Sequence, residues 1–231
     1  MRTWTNMMAV LGLAVAVVAC GDDGATSETA ASTPSTTATS TTVSTAQLDA
    51  MLLDVSDVGA HWKAGHEVTQ EDLAAFTQLP CENSAINPTI AERLTADTGI
   101  QFEPTDGSYK HMIELLVTGD PGQLSHDLEI LYGAYQACSA TVATTSDTGA
   151  LTVDELTLPE LGDQRFAYVL SDLESPDSEM TWHVRLAMVR VGPIAVGLGL
   201  TEILPTPGTE PQISDEEFVQ LLETAVAKVS G

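Results

Sequence analysis

Two Asp-Thr-Gly triplets, at Asp97 and Asp147, carry the residue types in this sequence that are best suited to catalysis. Two carboxylates held close together can share a proton and activate a water molecule for hydrolysis. Catalytic triplets of this kind continue with Ser or Thr, whereas Ile100 and Ala150 follow the two glycines here. The tendency of Asp and Gly to form turns explains both triplets better, and we predict no catalytic residues.

Two histidines, His61 and His66, are the next candidates for chemistry because imidazole is a common metal ligand. Zinc sites on helices favour ligands four residues apart, and neither a cysteine nor a third histidine lies near this pair. We therefore predict no metal site. The sequence also lacks GxSxG, HExxH, P-loop and GxGxxG motifs, so we predict no cofactor and no enzymatic activity. A hydrolase without a recognisable motif is the less favoured alternative.

Three basic residues, Arg165, His183 and Arg185, form a candidate ligand cleft, since all three fall in strands predicted late in the chain. Side chains alternate along a strand, so His183 and Arg185 share one face, opposite the apolar residues of the same segment. Such a cluster is suited to an anionic headgroup or a glycan. The alternative, which we favour, is that the arginines pair with carboxylates at the margin of the sheet.

The charge of the whole chain is strongly negative, with 8 Lys and Arg residues against 33 Asp and Glu residues and a formal net charge of −25. A chain this acidic repels nucleic acid and anionic lipid surfaces. We predict no nucleic-acid partner, and any attachment to a membrane must come from a lipid anchor.

Residues 1–19 have the composition of a signal peptide. The basic residue Arg2 is followed by an apolar run from Met7 to Ala19, which is shorter than the roughly 20 residues that span a bilayer. The run ends in Val-Val-Ala-Cys, which resembles the bacterial lipobox. The resemblance implies that Cys20 receives a diacylglycerol thioether with fatty acyl chains such as palmitate, and that it becomes the first residue of the exported chain. An ordinary secretory signal cleaved near Ala19 is the alternative.

Residues 20–45 are predicted to form a disordered tether behind the lipidated cysteine. Between Asp22 and Thr45, 14 of the 24 residues are Ser or Thr, and Val43 is the one branched aliphatic residue. Such a segment buries too little apolar surface to offset the entropy of ordering. A coil of this length spans about 25–30 Å, enough to hold a domain away from a membrane. Residues 46–231 have the length of a single domain.

The remaining two cysteines, Cys81 and Cys138, are predicted to form a disulfide once Cys20 is assigned to the lipid. Disulfides persist in the oxidising compartment that an exported chain enters. Closing this loop would stabilise the fold by roughly 4 kcal/mol. Two free buried thiols are the alternative.

The last helix is the element that the sequence predicts in most detail. Ser214 has the position of an N-cap and Glu217 completes a capping box, while Ile213 and Phe218 have the spacing of a hydrophobic staple. Other segments are predicted from periodicity alone. They are a helix from residue 45 to about 54, a turn over 55–62 that packs Trp62 on the core, short helices over 71–77 and 89–94, a helix whose apolar face runs from Leu124 to Cys138, strands over 109–117, 151–158 and 165–173, and a hairpin formed by 180–191 and 194–201.

These elements place strands in hairpin-like runs between helices, which predicts a single α+β domain with a largely antiparallel sheet and one disulfide. The segments "MLLDVSDVGAHW", "LPELGDQRFAYV" and "VRVGPIAVGLGL", together with the two cysteines and the last helix, resemble actinobacterial lipoproteins. Those proteins carry a domain similar to the extracellular sensor domain of PknH-type serine/threonine kinases. The resemblance implies an extracytoplasmic ligand bound in a cleft, and it identifies no binding residues.

Together these features predict a lipoprotein anchored to the extracytoplasmic face of the cell membrane, with a non-catalytic ligand-binding or sensor-like domain. Its expected partners are the membrane, through Cys20, and a lipid, glycan or envelope-protein ligand. A structural or assembly factor that docks other envelope proteins is the main alternative. A pocket lined by aromatic and apolar residues would favour the first function, and an exposed apolar patch would favour the second.

Overall fold

The computed structural model describes residues 43–66, 68–69, 88–142, 151–172, 181–205 and 209–231. The predicted helix over 71–77 lies outside these residues. Two of the described strands, Trp62–Ala64 and Thr98–Pro104, were not predicted from the sequence. In chain order the described elements are α1 (Thr45–Asp49), α2 (Val55–Val58), β1 (Trp62–Ala64), α3 (Pro88–Arg93), β2 (Thr98–Pro104), β3 (Lys110–Thr118), α4 (Pro121–Val142), β4 (Leu151–Glu155), β5 (Gln164–Asp172), β6 (Thr181–Val191), β7 (Ile194–Leu204) and α5 (Asp215–Ser230).

The strands form one seven-stranded sheet in the order β1-β2-β3-β7-β6-β5-β4, and all neighbouring strands are antiparallel. This confirms the α+β class and the antiparallel sheet. The predicted hairpin is formed by β6 and β7, which meet at Gly192 and Pro193. Strand β7 then pairs with β3, so it lies inside the sheet with side chains covered on both faces. Its nearly continuous apolar sequence is the pattern that such burial requires.

Helices cover the sheet on both sides, and we call the two sides the α4 face and the α5 face. On the α4 face, the predicted apolar stripe of α4 packs on alternate residues of β3, β5 and β6. On the α5 face, α5 and α1 pack on the intervening residues of β2, β3, β6 and β7. None of the helices in the described ranges is both long enough and apolar enough to span a bilayer.

Helix α5 begins as its sequence predicts. The Ser214 hydroxyl accepts from the Glu217 N–H, and the Glu217 carboxylate accepts from the Ser214 N–H, which completes the capping box. Phe218 is fully buried in the core of the α5 face, and Ile213 packs against the same cluster. Ser44 and Gln47 form an equivalent capping box on α1, but this helix ends at Asp49 and not near residue 54.

Gly162 lies where the turn before β5 passes close to the β6–β7 hairpin. It has a φ of +56°, and a Cβ atom built there would lie 2.3 Å from the Arg190 carbonyl oxygen. A residue with a side chain therefore does not fit. The next residue, Asp163, accepts from the Gly192 N–H at 2.8 Å and from Arg190 at 3.1 Å. The Leu-Gly-Asp turn thus joins β5 to the hairpin.

Candidate functional site

A cleft of about 560 Å³ opens between α2, the start of β3 and α5. Pockets that hold small molecules commonly have roughly 300–1,000 Å³. The lining combines polar side chains with a few apolar ones, so it can accept a ligand with both kinds of surface. The lining residues are Asp57, Val58, His61, Trp62, Asp106, Lys110, Gln212, Ile213, Glu217, Gln220, Leu221 and Thr224.

Lys110 and Trp62 form the innermost part of this lining, with only 8% and 3% of their surfaces exposed. The Lys110 Nζ lies 5.3 Å from the centroid of the Trp62 ring, within the range of a cation–π interaction. The same Nζ donates to the Gln212 Oε1 at 3.0 Å and lies 4.0 Å from the Asp106 Oδ2. An aromatic ring, an amide and a carboxylate therefore all stabilise this ammonium group.

Three carboxylates, of Asp57, Asp106 and Glu217, make the lining acidic. The N–H and the hydroxyl of Ser214 donate to the Glu217 carboxylate at 2.8 and 3.0 Å, and these hydrogen bonds hold the pKa of Glu217 below its ordinary value. Asp57 accepts from the Lys228 Nζ at 2.5 Å. Since carboxyl groups are ionised at neutral pH, the cleft carries more negative than positive charge.

A second polar group lies on the same face of the sheet, buried beneath the start of α5. Arg185, only 2% exposed, donates to Glu202 at 2.9 Å and to Asp215 at 2.7 Å. The other Glu202 oxygen accepts from the backbone N–H groups of Gln212 and Ile213. Arg185 is therefore paired with carboxylates, but this ion pair lies inside the sheet and not at its margin.

The three residues predicted to form a ligand cleft do not come together. His183 and Arg185 share the α5 face, as their spacing predicts. Arg165 is exposed and pairs with Val189, whereas Arg185 pairs with Val169. Positions 165 and 169 are four residues apart on β5, which separates Arg165 from Arg185 by about 13 Å along the strand. His183 pairs with Ser171 and is further away still. Arg185 is also already occupied by protein carboxylates, so this group is not the cleft that the sequence suggested.

Ser171 and His183 are the described residues that come nearest to a nucleophile with its base. The Ser171 Oγ lies 2.9 Å from the His183 Nδ1. In Ser-His catalysis the second ring nitrogen is held by a carboxylate, but the buried His183 Nε2 has no hydrogen-bond partner among the described residues. Burial, together with the nearby positive charge of Arg185, lowers the pKa of His183. This pair therefore lacks the group that would orient the base.

The other residues considered from the sequence have structural contacts or lie outside the described ranges. Asp97 accepts from the N–H and the hydroxyl of Thr118 at 2.6 and 2.8 Å, which ties β2 to the end of β3. Asp147, its predicted companion, is outside the described residues. The His66 Nδ1 lies 3.6 Å from Glu103. Within the described ranges, no three His, Cys, Asp or Glu side chains are placed to hold a metal ion.

Of the three cysteines, only Cys138 lies in the described part of the chain. It is fully buried on the α4 face, in the apolar stripe of α4. Cys20 and Cys81 lie outside the described residues. The lipid anchor and the disulfide therefore stay predictions.

The sheet order, the covering helices and the cleft define a single α+β domain with a seven-stranded antiparallel sheet. Its structure is similar to that of the extracellular domain of PknH from Mycobacterium tuberculosis, with a TM-score of 0.52 and 14% sequence identity. The match covers 81% of this chain and 97% of the PknH domain. The resemblance predicted from the sequence is thus confirmed at the level of the fold. No protein-family model matches the sequence, and no curated protein shows a significant match.

Most of the cleft was not predicted from the sequence. Trp62 was expected to pack on the core, but its contact with Lys110 was not foreseen. One available signal was the pattern of β3, in which Lys110 and Glu114 alternate with Met112 and Leu116 on the face that turned out to be covered by α5. Charged residues in phase with a buried apolar face indicate either a buried polar contact or a site.

Proposed function

We propose that this chain is an extracytoplasmic lipoprotein whose α+β domain binds a ligand without catalysing a reaction, as a sensor-like module. The observation that carries the proposal is a ligand-sized cleft in a domain with the fold of an extracellular protein domain. The incomplete Ser171–His183 pair is consistent with a binding function and gives a hydrolase no support. In this proposal the module passes a signal by contact, either with its ligand or with another envelope protein.

The experiment that tests ligand binding is native mass spectrometry of the chain purified from its own host, with detection of a co-purifying small molecule. Gln220→Trp places a large side chain in the cleft and should abolish co-purification. Glu223→Trp is the matched control, because residue 223 is exposed on the same helix but does not line the cleft. Equal ligand occupancy in the two variants would show that the cleft is not the binding site.

The proposed location of the protein at the membrane depends on Cys20. A lipobox cysteine is the attachment point for the acyl chains, and the acidic domain has no electrostatic attraction to anionic lipids. Cys20→Ser should move the protein from the membrane fraction to the soluble extracytoplasmic fraction. Ser27→Ala, a few residues further along the chain, should leave it in the membrane fraction. A Cys20→Ser variant that stays with the membrane would refute lipidation.

The disulfide between Cys81 and Cys138 belongs to the same proposal. The support is the complete burial of Cys138 on the inner side of α4, where a crosslink would fix the helix to the segment before β2. Reduction of the alkylated chain should slow its migration on a denaturing gel. Identical migration before and after reduction would mean that both thiols are free.

Docking of another envelope protein is a second candidate function, favoured by one surface feature. Tyr109, immediately before β3, lies beside Ile203 of β7, which pairs with Trp182 of β6, and the two aromatic residues are 75% and 48% exposed. Exposed aromatic rows of this kind are typical of interaction surfaces. A photo-crosslinking residue at position 109 should capture one envelope protein in living cells, while the same residue at position 160 should not. Capture at both positions, or at neither, would remove the support for docking.

A further inference from the structure

We infer that the cleft takes an organic cation, in the form of an amine carried on a short apolar chain, and that it rejects anions. This inference rests on the proposed ligand-binding function and specifies its ligand class. It also differs from the candidate cleft considered from the sequence, Arg165, His183 and Arg185, which would have suited an anionic headgroup or a glycan.

Among its described lining residues, the cleft offers an anion no unpaired Lys or Arg side chain. Of the described residues that line it, Lys110 is the only Lys or Arg. Its ammonium is buried and already bound by the Trp62 ring, the Gln212 amide and the Asp106 carboxylate. An anionic ligand would have to break these contacts to use it.

The carboxylates around the cleft are not neutralised by the lysines. Lys228 contacts both Asp57 and Asp54, at 2.5 and 3.3 Å, so it balances one of these two charges. Lys110 balances Asp106, and Glu217 has hydrogen bonds from Ser214 but no cationic partner among the described ion pairs. Two negative charges therefore remain in excess.

The N-terminus of α5 does not reverse this balance. A helix N-terminus carries a partial positive charge of about half a unit. Three acidic residues, Asp215, Glu216 and Glu217, occupy its first turn and offset that charge. The potential in the cleft is therefore negative on the α5 side as well.

The lining already stabilises one ammonium group, that of Lys110, through the face of an aromatic ring, an amide oxygen and a carboxylate. A second ammonium in the open part of the cleft would meet the Glu217 and Asp57 carboxylates. Val58, Ile213 and Leu221 provide apolar surface for the chain that carries it. These groups together select an amine with an alkyl portion.

Three probes test this inference, cadaverine, 1,5-pentanediol and glutarate, which share a five-carbon backbone and carry positive, neutral and negative end groups respectively. The full-length chain in uncharged detergent, labelled with 15N-tryptophan, reports binding through the Trp62 indole N–H. Trp182 is an internal control because it does not line the cleft. Cadaverine should shift the Trp62 signal saturably and leave Trp182 unchanged, pentanediol should need at least about tenfold higher concentration, and glutarate should cause no shift.

A charge-matched pair of double variants separates the cleft from the general acidity of the protein. Asp106→Asn with Glu217→Gln should weaken cadaverine binding about tenfold, since each exposed charge contributes modestly. Gln at position 217 preserves the capping box. Asp154→Asn with Glu160→Gln removes two exposed carboxylates outside the cleft and should change the affinity less than about twofold.

Equal weakening by both double variants would overturn the inference, because binding would then reflect overall charge. Tighter binding of pentanediol or glutarate at Trp62 would also overturn it, while the cleft would stand as a ligand site. If no probe shifts Trp62 although a native ligand co-purifies, the inference fails and the proposed function survives. If neither a native ligand nor a probe binds, both fail.

Discussion

The two faces of the sheet share the same strands but contain different chemistry. The four charged strand residues that are buried in the described ranges, Lys110, Glu114, Arg185 and Glu202, all lie on the α5 face. The strand residues of the α4 face are packed mainly against aliphatic and aromatic residues, including the stacked rings of Tyr135 and Tyr168, whose centroids are 4.9 Å apart. The buried charge described on this side, Asp127, belongs to α4 and not to a strand, and it pairs with Arg93 of α3 at 2.6 Å. This difference indicates that the α4 face mainly stabilises the fold. The α5 face positions the start of α5 and, with it, the cleft.

The largest expected effect comes from breaking the buried ion pair of the α5 face. Arg185→Leu leaves Glu202 buried without its cation, and we expect the free energy of unfolding to fall by about 3–5 kcal/mol. Urea denaturation measures this change. Arg165→Leu is the matched control, since Arg165 is exposed on the same sheet, and its effect should stay within about 0.5 kcal/mol. Similar losses in both variants would contradict the assignment of Arg185 as a structural centre.

The second prediction concerns Glu114, which is fully buried on the α5 face. One of its oxygens accepts from the Leu53 N–H at 2.6 Å, and the other has no partner among the described residues. Burial raises the pKa of Glu114 from 4.5 to about 7; the Leu53 hydrogen bond and Lys228 oppose the rise, and Asp57 adds to it. The folded state therefore holds this proton more tightly than the unfolded state does.

The contribution of Glu114 to the free energy of unfolding should therefore be largest below pH 4.5. It should decrease as the pH rises to about 7, with a total loss of about 3 kcal/mol. His183 acts in the opposite direction, because its lowered pKa makes stability increase as the pH approaches 6.5. Denaturation of wild type and Glu114→Gln between pH 5 and pH 8 isolates the Glu114 contribution. The variant should gain stability relative to wild type as the pH rises, and parallel curves would contradict the prediction.

The smallest expected effect is on the α4 face. The hydroxyls of Tyr135 and Tyr168 are buried, neither has a hydrogen-bond partner within the described part of the chain, and burial raises the pKa of both phenols. Replacing either with Phe removes an unsatisfied polar group, so stability should stay the same or rise by up to about 1 kcal/mol. In Tyr132→Phe the hydroxyl that donates to Glu155 at 3.2 Å is lost, and a small decrease is expected. Thermal denaturation measures the stability of the three Tyr→Phe variants relative to wild type. Large losses for Tyr135→Phe would show that its hydroxyl has a role in the fold.

How much of the fold could be predicted depended on the range of the interactions that form each element. The cap of α5, the stripe of α4 and the β6–β7 hairpin depend on residues close together in the chain, and their patterns were sufficient. Strands β1 and β2 were missed. Strand β1 has three residues and exists because it pairs with β2, about 40 residues later in the chain. Strand β1 is too short to show a pattern of its own, and β2 shows only the short alternation of Ile100 and Phe102 with Gln101 and Glu103.

The candidate site could be predicted only in fragments for the same reason. The sequence shows that His183 and Arg185 share a face, because alternation in a strand is local. It does not show that Arg165 lies further along its strand or that Glu202 lies directly beside His183, because both facts depend on strand register.

The sequence by itself determined the α+β class, the start of α5 and the strongly acidic character of the chain, because propensity, capping and charge are properties of neighbouring residues or of composition. Only the tertiary structure decided which charges are buried and where the cleft lies. Strand β7 pairs with β3 as well as with β6, and this pairing places Lys110 beside Glu202, 92 positions later in the chain. Contacts of that kind arise from strand order and helix packing, which bring together residues that no local pattern relates.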